Sequence, residues 1–138
     1  MDYNNPIPVA VCMVPVVDGA HRYLLGIVRA TAPGLGGVAY AGGYLEENED
    51  ASDAASRELL EETTLDIAPR HWHARYTRVT PNNRLLIFMV SDVELTIEQV
   101  KALPATAEVS AYRLLDQGSS LVFPLHQQVN EAYWQTAA

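Results

Sequence analysis

Residues 43–65 read GYLEENEDASDAASRELLEETTL, and they carry the strongest structural signal in the chain. The run Ala51 to Glu62 contains no glycine or proline and is rich in good helix formers. Asp50 can serve as its N-cap, with Asp53 three positions later. This stretch therefore predicts a helix that follows an acidic loop.

The second half of the predicted helix carries a group of acids. Glu58, Glu61 and Glu62 stand at i, i+3 and i+4 and so share one face. A solvated acidic face is the simplest interpretation, because charge runs usually carry no chemistry. Two features favour a cation site instead: Arg57 is the only basic residue of the run, and small apolar residues precede the acids on the same stripe, namely Ala51, Ala54 and Ala55. Carboxylates select Mg²⁺, Mn²⁺ or Ca²⁺.

Two glycines, Gly42 and Gly43, precede the acidic loop. Glycine lets the backbone approach a ligand closely, so a carbonyl from this segment can join the carboxylates around a metal ion. A simple turn explains the pair equally well.

The remaining chain alternates between predicted strands and helices. Strands are expected over Pro8 to Val17, Arg22 to Arg29, Trp72 to Val79, Arg84 to Val93 and Val109 to Leu115, with a short extended piece at Val38 to Tyr40. Turns are expected at Asp18-Gly19, at residues 31–37 and at Pro81-Asn82-Asn83. Further helices are expected over Thr96 to Leu103 and Phe123 to Gln135. The pattern predicts one α/β or α+β domain spanning residues 1–138.

The composition excludes several classes of protein. The formal net charge of −8 disfavours a general nucleic-acid binder, which needs a basic face to neutralise phosphates. No apolar stretch is long enough to span a bilayer, and Met1 to Pro8 does not resemble a signal peptide. Cys12 is the only cysteine, so it has no intramolecular disulfide partner and is expected to be buried. We therefore expect a cytoplasmic protein with no membrane or nucleic-acid partner.

The segment resembles the Nudix box of the MutT-related Nudix hydrolases. It has Gly43, then Glu49, then Arg57-Glu58-Leu59, then Glu61-Glu62 and finally Leu65, at the spacing of that motif. The resemblance implies an α/β/α sandwich, in which helices flank a mixed β-sheet. It also implies that Mg²⁺ or Mn²⁺ supports hydrolysis of a phosphoanhydride bond in a nucleoside diphosphate linked to another group.

The resemblance assigns metal ligation to three glutamates of the box. Glu58, Glu61 and Glu62 would bind the ion, with the carbonyl of Gly42 as a further ligand. Three departures from the motif leave these carboxylates in place: Thr64 and Asn48 stand where glycine is usual, and Ala41 replaces a frequent proline. A β-branched Thr64 in a left-handed helix end would be strained.

The catalytic roles follow from the same resemblance. Arg57 would pair with Glu49 and hold the loop against the helix. One of the acids, Glu58 or Glu61, or an acid from a later loop would activate the attacking water. Glu108 is a candidate for that later acid because it precedes a predicted strand, although a solvated loop glutamate is an equal explanation.

The substrate has to be held by residues outside the box. Arg29, Tyr44, Arg78 and Arg84 are the candidate binding residues; Arg75, Tyr40, Trp72 and Tyr76 are further options, although most aromatic residues at such positions are simply core. Pro81 lies sixteen residues beyond Leu65, which resembles a marker of ADP-ribose-cleaving relatives, although a hairpin turn also explains it.

These features favour ADP-ribose or a related dinucleotide over a nucleoside triphosphate as the substrate of a pyrophosphohydrolase. A non-catalytic nucleotide-sensing module and an acidic interaction domain are two further hypotheses, each from a different class of function. The complete set of box glutamates favours an enzyme, and the resemblance leaves a homodimer open.

Overall fold

The computed structural model describes residues 4–136. Its strands are β1 (Ile7–Met13), β2 (Pro15–Asp18), β3 (His21–Arg29), β4 (Val38–Ala39), β5 (Ala41–Tyr44), β6 (Trp72–Val79), β7 (Arg84–Ser91), β8 (Leu95–Thr96) and β9 (Val109–Leu115). Its helices are α1 (Ala51–Thr63), α2 (Ile97–Lys101) and α3 (Pro124–Thr136), with a 3-10 turn at Pro69–His71. The predicted domain of residues 1–138 includes 1–3 and 137–138, which lie outside the described residues.

The strands form two mixed sheets. One has the order β5-β1-β7-β6, in which β1 and β7 are parallel and the other neighbours are antiparallel. The other has the order β4-β3-β2-β8, with β2 and β8 parallel and β9 also paired to β3. Helices cover both sides of this arrangement, so the predicted sandwich of helices around mixed sheets is confirmed.

Strand β1 shows how the layers are built. Ala10 and Cys12 belong to the core cluster that contains Ala54, Ala55 and Leu59 of α1. Their neighbours Val11 and Met13 face the other way and pack with residues of α3, including Val129 and Tyr133. Because both faces of β1 are buried, its sequence is an almost continuous apolar run. The fully buried alanines let α1 approach β1 and β5 closely.

The single strand predicted over Pro8 to Val17 is wrong. The chain leaves the first sheet after Met13 and enters the second at Pro15. Val14 lies between the sheets, and its carbonyl accepts a hydrogen bond from Leu25 N at 2.9 Å. A run of apolar residues does not show where a strand changes sheets, because both halves are equally buried.

Other predictions differ in detail. The helix expected over Thr96 to Leu103 spans only Ile97–Lys101. The strand expected to reach Val93 ends at Ser91, whose hydroxyl accepts a hydrogen bond from Val93 N and closes a turn. Gly42 and Gly43 lie inside β5, paired with Val11 and Ala10, and do not form a turn. The predicted bounds of β6 and β9 agree with the structure, as does the cap of α2 by Thr96. Among the described residues, no helix is long and apolar enough to cross a bilayer.

Candidate active site

A backbone contact fixes the last acid of α1 against the first sheet. Glu62 is only 2% exposed, and its Oε2 accepts a hydrogen bond from the N–H of Gly42 in β5 at 2.9 Å. Burial raises the pKa of Glu62 to about 8, against the lowering effect of the Gly42 bond, and the nearby charges of Glu58 and Glu108 raise it further. The Glu62 carboxylate therefore lies where α1 meets β5.

Glu58 lies one helical turn earlier, against Gly43. A Cβ atom on Gly43 would lie 2.4 Å from the carboxyl carbon of Glu58, so glycine leaves the space that this carboxylate occupies. Burial raises the pKa of Glu58, and contacts with Arg57 partly offset that rise. The side chain of Glu61, by contrast, is 57% exposed. Two of the three box glutamates thus continue the buried alanine stripe, and Glu61 lies at its edge.

Arg57 connects the acidic loop to the helix. Its Nε and Nη2 donate to the two carboxylate oxygens of Glu49 at 2.8 and 2.9 Å, a bidentate pair. Nη2 also donates to the carbonyl of Tyr44 at 2.9 Å. Nη1 donates to Glu58 at 2.8 Å and lies 3.4 Å from Glu61. The bond from Arg57 lowers the pKa of Glu49, and the same bond raises the pKa of Arg57.

The segment before β9 brings a fourth carboxylate to the helix. The Glu108 carboxylate lies near those of Glu58 and Glu62, and its negative charge raises the pKa of both. The nearby Thr106 donates from its hydroxyl to the carbonyl of Glu62 at 2.8 Å. The carbonyl of Glu108 accepts a bond from Ala30 N, which fastens the segment to the end of β3. Residues more than forty positions apart in sequence therefore meet at one site.

The chemistry of this donor set fits a divalent cation. Glu58, Glu62 and Glu108 are hard oxygen donors. Burial is the main cause of the raised pKa of Glu58 and Glu62, the negative charge of Glu108 adds to it, and a cation would offset both effects. Within residues 4–136, however, no three His, Cys, Asp or Glu side chains are arranged closely enough to hold a metal ion by themselves. The reason is that these carboxylates have other partners: Arg57 contacts Glu58 and Glu61, and Glu62 accepts a hydrogen bond from Gly42.

At two positions where the box motif usually has glycine, Thr64 and Asn48, the backbone keeps the conformation that favours glycine. Thr64 ends α1 in the left-handed conformation, with φ 70°, and its N–H donates to the carbonyl of Leu60. The helix therefore ends as the motif requires, with the strain of a β-branched residue retained. Asn48 also has a positive φ of 65°, which asparagine tolerates.

A cavity of about 510 Å³ opens beside Gly42 and Tyr44. Arg29, Tyr44 and Arg84 line it, as do Pro81 and Tyr40. The Nε of Arg84 donates to the hydroxyl of Tyr44 at 3.1 Å. Other lining residues are mainly apolar, including Val9, Val11, Leu86, Phe123, Pro124 and Leu125. The structure thus brings three of the four predicted substrate-binding residues to one cavity, which lies on the α3 side of the first sheet and reaches β5 at Gly42 and Tyr44.

The other residues considered for substrate binding lie elsewhere. Arg78 does not line this cavity, and its guanidinium donates to the carbonyl of Thr77. Trp72 is buried and donates to the hydroxyl of Ser56, which makes it part of the core. Arg75 and Tyr76 contact Thr136 at the end of α3.

Sequence reasoning missed the contribution of α3 to the cavity. Phe123 and His126 lie at the start of this helix and line the cavity with Tyr40. The backbone N–H of Tyr40 donates to Nδ1 of His126 at 3.3 Å, and the Tyr40 hydroxyl donates to Asn130 at 2.6 Å. Asn130 is fully buried. The sequence does contain one sign of this contribution: His126 and Asn130 are polar residues on the apolar face of the predicted helix, where such residues are uncommon.

Comparisons with known proteins agree with this geometry. Residues 6–134 match the sequence model of the NUDIX domain. No curated protein matches the chain significantly. The NUDIX domain of Shewanella oneidensis NrtR, solved with ADP ribose, is 16% identical with a TM-score of 0.74, over 96% of this chain and 89% of that one.

Two other solved structures share the fold. A MutT/nudix family protein from Enterococcus faecalis is 17% identical with a TM-score of 0.68, over 83% of this chain and 45% of that one. A bifunctional NMN adenylyltransferase/ADP ribose pyrophosphatase from Francisella tularensis is 19% identical with a TM-score of 0.69, over 100% of this chain and 43% of that one. This chain therefore spans less than half the length of either protein.

Proposed function

The chain belongs to the NUDIX family of hydrolases, and we propose that it hydrolyses a phosphoanhydride bond in a nucleoside diphosphate linked to another group. ADP-ribose or a related dinucleotide is the substrate class that its cavity suits best. The observation that carries this proposal is that the cavity reaches Gly42 and Tyr44 of β5, the strand in which Gly42 contacts Glu62 and Gly43 lies against Glu58.

The cavity offers both parts of such a substrate a suitable environment. Its apolar and aromatic lining suits a base or sugar, whereas Arg29 and Arg84 supply positive charge for a diphosphate. Arg29 lies 5.2 Å from the centre of the Phe123 ring, and Arg84 lies 5.8 Å from the centre of the Tyr44 ring. The ADP ribose complex of one structural relative and the pyrophosphatase description of another support the same substrate class.

The glutamates of α1 are the proposed ligands of Mg²⁺ or Mn²⁺, with the carbonyl of Gly42 as a further ligand. When bound, such a cation would supply Lewis-acid chemistry and offset the charge of the substrate phosphates. Arg57 positions the acidic loop through Glu49 and so keeps Tyr44 at the mouth of the cavity. Glu108 is the proposed base for the attacking water, and Glu58 and Glu61 are the two further candidates for that role.

A phosphate-release screen tests the proposal. The chain would be incubated with Mg²⁺ or Mn²⁺ and with ADP-ribose, NADH, dinucleoside polyphosphates, nucleotide sugars, coenzyme A or nucleoside triphosphates. Products would be detected after phosphatase treatment. ADP-ribose or a dinucleotide should give the highest kcat/KM, with the activity lost in excess EDTA. Activity on none of these compounds would contradict the proposal.

Two competing functions give different results in the same screen. A nucleoside triphosphate pyrophosphohydrolase would prefer a triphosphate and release pyrophosphate. A nucleotide-sensing module would bind a nucleotide in a titration but turn over no compound. The box glutamates, present at every expected position, favour an enzyme. The homodimer that the family resemblance leaves open is tested separately, by light scattering during size-exclusion chromatography.

A further inference from the structure

His126 combines burial with an uncommon hydrogen-bond pattern. It lies in the first turn of α3 and is only 7% exposed. The rings of Tyr40, Phe88 and Phe123 surround it, with ring centres 5.5, 5.7 and 5.1 Å from that of the imidazole. Its Nδ1 accepts the backbone N–H of Tyr40 at 3.3 Å. An imidazole nitrogen that accepts a hydrogen bond carries no proton, so the proton of the neutral ring is on Nε2.

The surroundings keep this ring neutral. Burial lowers the pKa of His126 to about 3, and the positive charge of Arg29 acts in the same direction. A ring that is neutral at ordinary pH and fixed in one tautomer presents a single donor, Nε2–H, in a constant position.

That donor faces the cavity. No described residue provides a partner for Nε2, yet residues 4–136 contain no side-chain nitrogen or oxygen that is both fully buried and unpaired. Nε2 is therefore accessible from outside the protein. His126 lines the cavity, so a ligand in the cavity can contact this atom. A donor at the wall of a largely apolar cavity can be satisfied by an acceptor atom on a ligand, and a ligand without one loses that bond.

We propose that Nε2–H of His126 donates a hydrogen bond to a ring nitrogen of a purine base held in the cavity. The inference rests on the proposed function, which supplies an adenine nucleotide as the substrate. Adenine fits the donor because its N1, N3 and N7 are acceptors, whereas the apolar walls formed by Leu86, Phe123 and Leu125 suit the faces of the ring. His126 is thus a specificity-determining residue that recognises the base and takes no part in the bond cleavage.

The test measures binding of AMP and of ribose 5-phosphate without metal, in EDTA, by calorimetry. His126→Asn is the informative variant, since the asparagine Oδ1 can replace Nδ1 as the acceptor for Tyr40 N while Nε2 is lost. His21→Asn is the matched control, at an exposed histidine outside the cavity. His126→Asn should weaken AMP binding about tenfold, the usual contribution of one hydrogen bond, and leave ribose 5-phosphate binding unchanged.

Base analogues identify the contact directly. At least one of the 1-deaza, 3-deaza and 7-deaza forms of AMP should bind the wild-type chain about tenfold more weakly than AMP and should bind His126→Asn as tightly as AMP does. If the variant does not fold, ¹⁵N NMR of the wild-type chain replaces it. AMP should shift the Nε2–H resonance of His126, and ribose 5-phosphate should not.

The outcomes separate this inference from the proposed function. Equal weakening of AMP and ribose 5-phosphate binding in His126→Asn would overturn the inference, as would unchanged AMP binding or no AMP binding by the wild-type chain. If the chain hydrolyses ADP-ribose and His126→Asn does not change the KM for it, the proposed function holds and the inference is wrong. If AMP binding depends on His126 but no compound is turned over, the inference is supported and the proposed hydrolytic activity is contradicted.

Discussion

The backbone N–H of Gly42 and the carboxylate of Glu62 are joined by a hydrogen bond of 2.9 Å. This bond links β5 to the last turn of α1 and satisfies an acid that is almost completely buried. Gly42 and Gly43 are adjacent in the same strand, but they need to be glycine for different reasons. A Cβ on Gly42 would lie 2.3 Å from the backbone oxygen of Ala10, whereas one on Gly43 would meet the movable end of Glu58.

Alanine substitutions at the two glycines should therefore have different effects. Gly42→Ala should destabilise the fold by about 2 kcal/mol or more, because the paired backbone of β1 has no room to move. Gly43→Ala should cost less stability and lower kcat by about tenfold or more, because Glu58 is displaced. Urea unfolding and steady-state kinetics measure the two effects. A larger loss of stability for Gly43→Ala than for Gly42→Ala would contradict the roles assigned to these contacts.

Replacing Glu61 or Glu62 by glutamine should show whether these acids serve catalysis or stabilise the fold. Glu61→Gln and Glu62→Gln should each lower kcat by about 10² or more, because a charged ligand of the proposed cation is lost. Glutamine at position 62 retains an acceptor for Gly42 N–H, so the circular dichroism spectrum should stay unchanged. Glu98→Gln, an exposed acid on α2, is the control and should keep normal turnover. Near-normal turnover in both test variants would overturn the assigned roles.

The left-handed end of α1 predicts a stabilising substitution. Thr64 is exposed and has φ 70°, a conformation that costs a non-glycine residue about 1 kcal/mol. Thr64→Gly should therefore raise the free energy of unfolding by about 1 kcal/mol, as measured in urea. Thr64→Ala is the matched control, since alanine keeps the Cβ and should gain little. Equal stability of the two variants would show that the backbone conformation is not the source of the effect.

His126 predicts a pH dependence of stability. Its pKa of about 3 in the folded chain lies below the ordinary value of 6.5, so the unfolded chain takes up a proton first as the pH falls. The stabilisation is complete above pH 6.5 and is lost between pH 6.5 and 3. Relative to His126→Asn, the wild-type chain should lose about 2 kcal/mol between pH 7.5 and 5, at roughly 1.4 kcal/mol per pH unit. Urea titrations of both chains at these two pH values measure the difference, and parallel pH profiles would contradict the prediction.

Local sequence patterns predicted the helix of the box well. The limits of α1 differ by one residue from those predicted, and the Asp53 side chain accepts the Asp50 N–H at 3.0 Å, as the capping pattern indicated. These features were predictable because helix periodicity and capping depend on residues three or four positions apart. The same holds for Asp18-Gly19, the turn before β3, where Gly19 has a positive φ.

The division of the first apolar run between two sheets was not predictable in this way. Nothing in its composition distinguishes Met13 from Pro15 as core residues, and both are buried. The change of sheet depends on which strands each half pairs with: β1 pairs with the distant β7, whereas β2 pairs with the adjacent β3 and the distant β8. Hydrophobicity specifies burial, whereas the partner strand specifies the sheet.

The sequence by itself determined the acidic helix, the identity of its carboxylates and the family to which the chain belongs, because these depend on fixed short spacings. Only the tertiary structure decided that Glu108 lies near Glu62, that Arg78 lies away from the cavity and that His126 lines it. These relationships join residues far apart in the chain. They arise from the packing of α1 and α3 on opposite sides of β1, which no local pattern encodes.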